Sequence, residues 1–327
     1  MHDFVPLVIA DITRETADAV LVHLIVPPTL ADEFKFRPGQ HLAFRTTLDG
    51  EDLRRTYSIC SGPDDDHLAV AIKRITDGRF SNWACAMLRP GMTLEAMPPA
   101  GRFVLADPAG DRRHILAFAA GAGITPIVAM AEHVMRRHTD TRFTLVYGNR
   151  DIDSIIFRQR LEDLKDAHLD RFTLVHILSR NAESETPVLE GRITADKVAA
   201  LSPHLFPPSD VDQTYLCGPG SMIRDVRNAL FALNFPRDRV HHEFFAAGGG
   251  AFRSAQSTSP QSAPNQSAKS EAAIVPTRQP SFPPPETLTS APATEVIAVL
   301  DGQRRSFTAA PGEAIVDAAL RAGVRAP

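Results

Sequence analysis

At Asp107 the hydrophobic rhythm of this 327-residue chain changes, and no single layered architecture accommodates both rhythms. Before it, short apolar or alternating runs lie between turn residues: Ala19–Val26, Gln40–Arg45, Thr56–Ser61 and His67–Ile75. Such runs predict an antiparallel β barrel over residues 1–106. One helix interrupts it at Ser81–Leu88, with Ser81 as its cap and Arg89-Pro90-Gly91 as its stop. After Asp107, strands at His114–Ala119, Arg142–Gly148, Phe172–Leu178, Thr214–Cys217 and Arg239–Phe244 alternate with helices. The helices are expected at Pro126–His138, Phe157–His168, Thr194–Leu201 and Ser221–Leu233. That alternation predicts an α/β doubly wound parallel sheet over residues 107–247. The uncharged run Ile115–Ala131 falls short of the ~20 residues a membrane span needs, and Gly121, Gly123 and Pro126 break it into strand, turn and helix.

Residues 248–292 hold eight of the chain's 26 prolines amid Ser, Ala and Gln, the composition of a disordered linker. Residues 293–327 return to a strand at Glu295–Leu300, a turn at Asp301-Gly302, a strand at Arg305–Thr308 and a helix at Ala314–Ala322. So short a piece cannot bury a core unaided. A net charge of -4 offers no field for a phosphate backbone, which argues against a nucleic-acid partner. Cys60, Cys85 and Cys217 are too far apart in sequence for a paired metal-ligand motif and read as free thiols of a reducing compartment. Asp3, Asp11, Arg14, Glu15 and Asp18 interrupt any apolar leader, so the expectation is a cytoplasmic protein without membrane or metal.

Five short motifs carry candidate chemistry. Arg55-Thr56-Tyr57-Ser58 places a guanidinium fork suited to a pyrophosphate beside a flat ring and a hydroxyl that could meet a flavin; it also reads as an ordinary surface strand. Gly78-Arg79-Phe80-Ser81 opens the barrel helix, whose unpaired N–H groups favour a phosphate; the alternative is a plain capped helix with Phe80 in the core. Gly121-Ala122-Gly123-Ile124-Thr125-Pro126 follows a strand, but Pro126 stands where a dinucleotide fingerprint has its third glycine. There Thr125 can cap the helix and Pro126 can take its first position, in a phosphate loop or a tight turn alike. Tyr147-Gly148-Asn149-Arg150 and Ser179-Arg180 end successive strands, where ligands of open α/β sheets bind, and a serine with an arginine suits a ribose 2′-phosphate. Cys217-Gly218-Pro219 ends another strand, with a thiol that either faces a nicotinamide or simply packs.

In this order the motifs, with Pro99 to Phe103, resemble the ferredoxin–NADP reductase superfamily over residues 1–245, and more closely the reductases of aromatic-ring and phenylacetyl-CoA oxygenation systems. The resemblance implies that Arg55, Tyr57 and Ser58 hold FAD, with Lys73 beside the ring and Gly78, Phe80 and Ser81 at its pyrophosphate. It gives Gly121, Gly123, Thr125 and Pro126 to NADP(H), with Asn149, Arg150, Ser179 and Arg180 on the adenosine side and Cys217, Gly218 and Pro219 at the nicotinamide. Glu243 and Phe244 match a terminal segment that covers the flavin, so Ser58, Cys217 and Glu243 are the implied catalytic residues. Residues 293–327 look like the start of a β-grasp, plant-type ferredoxin domain, in which the cysteine loop for a [2Fe–2S] cluster follows the position where this chain ends. The cluster is therefore expected only in a complete protein.

The implied activity is oxidation of NADPH by FAD, followed by single-electron delivery to an iron–sulfur centre and an oxygenase or epoxidase component. Two rivals stay open: a flavin-only oxidoreductase whose tail is an interaction segment, and a non-catalytic nucleotide-binding regulator.

Overall fold

The computed structural model describes residues 4–106, 113–180, 186–245, 294–300, 303–309 and 322. Residues 1–255 form one compact unit and 256–327 another.

The first unit opens with β1 (Val5–Thr16), β2 (Ala19–Ile25), β3 (His41–Leu48), β4 (Glu51–Ser58), β5 (Leu68–Lys73), α1 (Arg79–Met87) and β6 (Thr93–Ala96). The strands form an antiparallel sheet in the order β4-β3-β6-β1-β2-β5. A bridge from Ile59 to Val70 and the Cys60 N–H bond to Ala69 O at 2.9 Å join the two ends, so the sheet closes on itself. The expected barrel is thus present, although the apolar runs single out neither β1 nor β6. Its interior is filled by alternate residues such as Leu7, Ile9, Val20, Val22, Leu24, Val70 and Ile72.

Then come β7 (His114–Ala120), α2 (Ile124–Arg137), β8 (Arg142–Asn149), α3 (Arg158–Ala167), β9 (Phe172–Leu178), α4 (Ala195–Leu205), β10 (Gln213–Gly218), α5 (Gly220–Ala232) and β11 (Val240–Phe244). The five strands are parallel, in the order β11-β10-β7-β8-β9. Helices cover both faces, which gives the doubly wound sheet expected, with one core between sheet, α2, α3 and barrel and another beneath α4 and α5.

The two layers share a dry seam. On β2 and β5 the residues that do not face the barrel interior, Ala19, Leu21, Ala69 and Ala71, are buried against the same cluster as Ile127, Met130 and Val134 of α2. Burial on both faces explains why these strands read as continuous apolar runs. Polar ties span the seam as well. Glu132 of α2, itself buried, takes both the Nε and the Nη2 of Arg160, and the same Nη2 donates to Cys60 O at 2.9 Å on the barrel side. Arg136 joins Glu132 to Asp65, Arg150 pairs with Asp18 at 3.0 Å, and Glu15 accepts the Phe157 N–H at the start of α3.

Helix starts differ from expectation at two places. α1 begins at Arg79 with Gly78 as cap; Ser81 lies inside it, its hydroxyl accepting the Ile75 N–H at 3.2 Å and donating to Gly78 O. α2 begins at Ile124 after a 3-10 turn at Gly121–Gly123, so Thr125 is not the cap but bonds Ala122 O at 3.0 Å from within the first turn. Pro126 stands third rather than first, a position where its missing N–H would have found no intrahelical acceptor anyway.

In the second unit, β12 (Thr294–Leu300) and β13 (Gln303–Ala309) pair as an antiparallel hairpin, as the two expected strands require. The expected linker, the Asp301-Gly302 turn and residues 314–321 of the expected helix lie outside the described residues. Among the described residues no helix is long and apolar enough to cross a membrane.

Replacing Arg160 with Met leaves the buried Glu132 carboxylate short of its bidentate partner. The expected cost is about 3 kcal/mol of unfolding free energy by urea denaturation, partly recovered in the Glu132→Met, Arg160→Met double variant.

Candidate active site

The strand order reverses at β7, whose neighbours are β8 on one side and β10 on the other. At such a switch point the loops leave in opposite directions and open a crevice. Here it is bounded by the Gly121–Gly123 turn and by Cys217-Gly218. Gly123 is required by packing: a Cβ there would lie 2.2 Å from Cys217 O, so only glycine lets α2 start this close to β10. Gly121 has φ +54°, and its carbonyl accepts the Tyr147 hydroxyl at 3.0 Å, which fixes the turn from below.

The barrel brings Ser58 to this crevice, and the edge strand of the parallel sheet brings Glu243. Glu243 is paired in register with Cys217, and Ser58 with His41. His41 Nδ1 lies 3.9 Å from Glu243 Oε1. Three sequence-proposed residues from two sheets are therefore gathered at one point. Burial pushes the Glu243 carboxyl up to about 7, with the Ser58 hydroxyl opposing the shift, and its Oε2 is buried without a hydrogen-bond partner among the described residues. Burial, reinforced by Glu243, holds the Cys217 thiol well above its ordinary range, so it stays protonated. Burial also lowers the His41 imidazole, which keeps it neutral at physiological pH.

Around this point sit cationic and aromatic groups. Arg55 makes no salt bridge among the described residues and bonds only the Arg54 carbonyl, at 2.7 Å. Tyr57 packs with its ring centroid 5.7 Å from that of Phe80. Phe80 itself is buried in the barrel core, so its side chain supports Tyr57 and does not line the crevice. Lys73 has its amine pKa lowered by burial first and then by Arg150, and a Cβ on Gly121 would stand 3.6 Å from its Nζ. Ser81 is buried and spent on the loop before α1, and a Cβ on Gly78 would strike its hydroxyl at 2.5 Å; that glycine admits Ser81, not a ligand.

At the carboxyl ends of β8 and β9 the two strands stay paired, since Ser179 N–H bonds Asn149 O at 2.9 Å and Arg180 N–H bonds Arg150 O at 2.7 Å. Ser179 and Arg180 are exposed there, while Arg150 is turned to Asp18 of the barrel rather than standing free. Asn149 is only 9% exposed, and neither its amide nitrogen nor its oxygen has a partner among the described residues. Pro219 caps α5.

Alternation along β11 separates Phe244 from Glu243. Phe244 faces away from the Glu243 side, with its ring against His242 at 5.0 Å, whereas Phe245 packs on the cluster that contains Cys217. Sequence reasoning misses Phe245 and His41. Counting two residues on from Glu243 finds the first, but nothing local announces the second.

Unpaired buried polar atoms at Glu243 and Asn149, with cations at Arg55 and Arg180 that make no salt bridge among the described residues, suit polar, anionic cofactors. The oxidoreductase FAD-binding domain family matches residues 6–105, and the oxidoreductase NAD-binding domain family matches residues 118–228. A subunit of the 1,2-phenylacetyl-CoA epoxidase of Escherichia coli K12 is 41% identical over 249 residues, which cover 76% of this chain and 70% of that protein. The chain belongs to the ferredoxin reductase family. A second member, the ferredoxin reductase component of the 3-ketosteroid-9-alpha-monooxygenase of Mycobacterium tuberculosis H37Rv, is 32% identical over 98% of this chain and 80% of its own length. A solved ferredoxin NADP+ reductase from Neisseria gonorrhoeae with bound FAD and NADP shares the fold at a TM-score of 0.63 and 19% identity, covering 75% of this chain and 99% of that one. The protein is thus an oxidoreductase with FAD- and NAD(P)-binding domains, an electron-transfer component of the reductase type.

The Glu243 carboxyl binds its proton more tightly when folded than when unfolded, because burial raises it from 4.5 to about 7. Folding therefore loses stability as pH rises from about 4.5 to about 7, by up to about 3 kcal/mol, and the cost persists above that range. Glu243→Gln should remove this slope and be the more stable protein at pH 8 in urea denaturation. A profile parallel to the parent's would contradict the burial assigned to this carboxyl.

Proposed function

We propose that the chain oxidises NADPH with FAD and passes single electrons to an iron–sulfur acceptor that serves an oxygenase of the epoxidase type. The reading rests above all on Ser58, Cys217 and Glu243, which three strands of two sheets bring to one crevice. The named relatives, one from an epoxidase and one from a monooxygenase, support the oxygenase partner.

When bound, FAD supplies the conversion between a two-electron hydride and single electrons. The chain's own residues then have separable tasks. Ser58 offers its hydroxyl to the flavin ring, and Tyr57, propped by Phe80, offers a flat surface. Arg55 and the first-turn N–H groups of α1, from Arg79 onward, meet the flavin pyrophosphate, with Gly78 as the helix cap and Lys73 beside the ring. Gly121, Gly123, Thr125 and Pro126 form the bed for the dinucleotide pyrophosphate. Cys217, uncharged and buried, with Gly218 and Pro219, gives the nicotinamide a soft wall. Glu243, with a pKa of about 7, can hold or release a proton at neutral pH beside that wall. Phe245 closes the Glu243 side and Phe244 the outer side. Ser179 and Arg180, with Asn149 and Arg150 behind them, meet the adenosine ribose, where a 2′-phosphate finds a guanidinium without a salt bridge among the described residues.

In this reading residues 1–106 are the FAD-binding domain, 107–247 the NADP-binding domain, 248–292 a tether, and 293–327 the opening of a [2Fe–2S] ferredoxin domain. A tether would let one acceptor visit the flavin and then the oxygenase, since it raises effective concentration without fixing geometry. Three free cysteines support a cytoplasmic setting.

Arg180→Ala is expected to lower kcat/KM for NADPH ten- to hundredfold and to leave NADH within about threefold, because only NADPH carries the phosphate. Equal losses with both nucleotides would refute the NADPH assignment. With three cysteines in the sequence, a cluster of four thiolates cannot be completed. The purified chain should therefore show flavin absorbance, reduce ferricyanide with NADPH, and contain no stoichiometric iron or sulfide after anaerobic reconstitution.

A further inference from the structure

The edge strand β11 has two faces with different neighbours. His241 stacks on Tyr215 with ring centroids 5.1 Å apart, and Glu243 faces the crevice, so Val240 and His242 face the opposite way, toward α5. On that far side lies a cavity of about 540 Å³ lined by Arg227, Asn228, Phe231, Arg237, Val240 and His242. The proposed function uses none of these residues.

The lining holds two guanidinium groups and no carboxylate. Arg237 lies over the Phe231 ring, 4.4 Å from its centroid, which fixes the plane of its fork. The Nε of Arg227 is buried and has no acceptor among the described residues. A buried charged donor without an acceptor is destabilising, and an oxyanion held by the terminal nitrogens of the same guanidinium would offset its charge. In a chain of net charge -4, a recess walled by two cations and no anion is a local inversion of sign.

We propose that this cavity is a binding site for an organic phosphate, separate from the dinucleotide crevice on the other face of the sheet. The planar forks of Arg227 and Arg237 match phosphate oxygens, and Asn228 adds amide donors at the rim. The volume far exceeds the ~30 Å³ of a water-sized group, so the ligand has a body beyond its phosphate, which rests on Phe231 and Val240. His242 reports occupancy. Its imidazole is held below its ordinary pKa by burial first and then by Arg227 and His241. Arg237 lines the same cavity. A bound phosphate offsets the arginine charge, so it raises the His242 pKa.

The test uses the full flavin-loaded chain and inorganic pyrophosphate as probe, with the His242 resonance identified by its loss in His242→Gln. Pyrophosphate is expected to shift that resonance saturably and to raise its titration midpoint. Arg227→Gln with Arg237→Gln should weaken the binding at least tenfold while the visible flavin spectrum stays unchanged. The more conservative pair Arg227→Lys with Arg237→Lys, which keeps both charges and loses both forks, should weaken it about threefold or more. The crevice variant Arg180→Ala should bind pyrophosphate at His242 as the parent does. A His242 shift that never saturates, that is equally strong in both double variants, or that disappears with Arg180→Ala would overturn the proposal.

Discussion

The seam between barrel and sheet is the contact on which the rest of the molecule depends. β2 and β5 present one set of side chains to the barrel interior and the alternate set to α2, so two cores share a single pair of strands. Apolar burial of this kind is favourable but non-directional. Direction comes from Glu132, whose carboxylate holds Arg160 while Arg160 reaches the Cys60 carbonyl across the seam. A buried ion pair is costly to desolvate and adds little net stability, but it tolerates only one arrangement of its partners. That arrangement sets how far β4 of the barrel stands from the carboxyl ends of β10 and β11.

The crevice inherits its chemistry from this placement. Ser58 comes from one sheet and Cys217 and Glu243 from the other, so Ser58 meets the other two only through the seam. Water is excluded where the sheets meet, and for that reason Glu243 titrates near neutrality while Cys217 stays a thiol. The close approach of Gly123 to Cys217 O joins the turn after β7 to the adjacent strand β10.

Much of the fold is legible in the sequence because burial leaves a periodic trace. The continuous apolar run at His67–Ile75 and the strand-to-helix alternation after Asp107 each reflect which faces are covered. β6 leaves almost none: Thr93–Ala96 is four residues long, with a single large apolar side chain. β1 is blurred by register shifts between Ile9 and Asp11 and between Arg14 and Thr16, which break its alternation. Helix starts are not legible where tertiary contacts decide them, as at Ser81, whose hydroxyl is consumed by Ile75 and Gly78, and at Thr125, which follows a 3-10 turn. In the site, Ser58 and Cys217 stand in motifs, whereas Glu243 follows only from the family resemblance. His41 cannot be named from either, because its nearness to Glu243 is a contact between residues at opposite ends of the two-sheet body.

On the proposed function, one crevice built by both sheets performs hydride transfer from a nicotinamide to a flavin. Anaerobic stopped-flow absorbance measures that step directly, as bleaching of the flavin band after mixing with NADPH. Bleaching should be a single fast phase in the parent, and Cys217→Ala and Ser58→Ala should each slow it at least tenfold with FAD still bound and the seam intact. Bleaching at the parent rate in both variants, or no bleaching by NADPH in the flavin-loaded parent, would contradict the account.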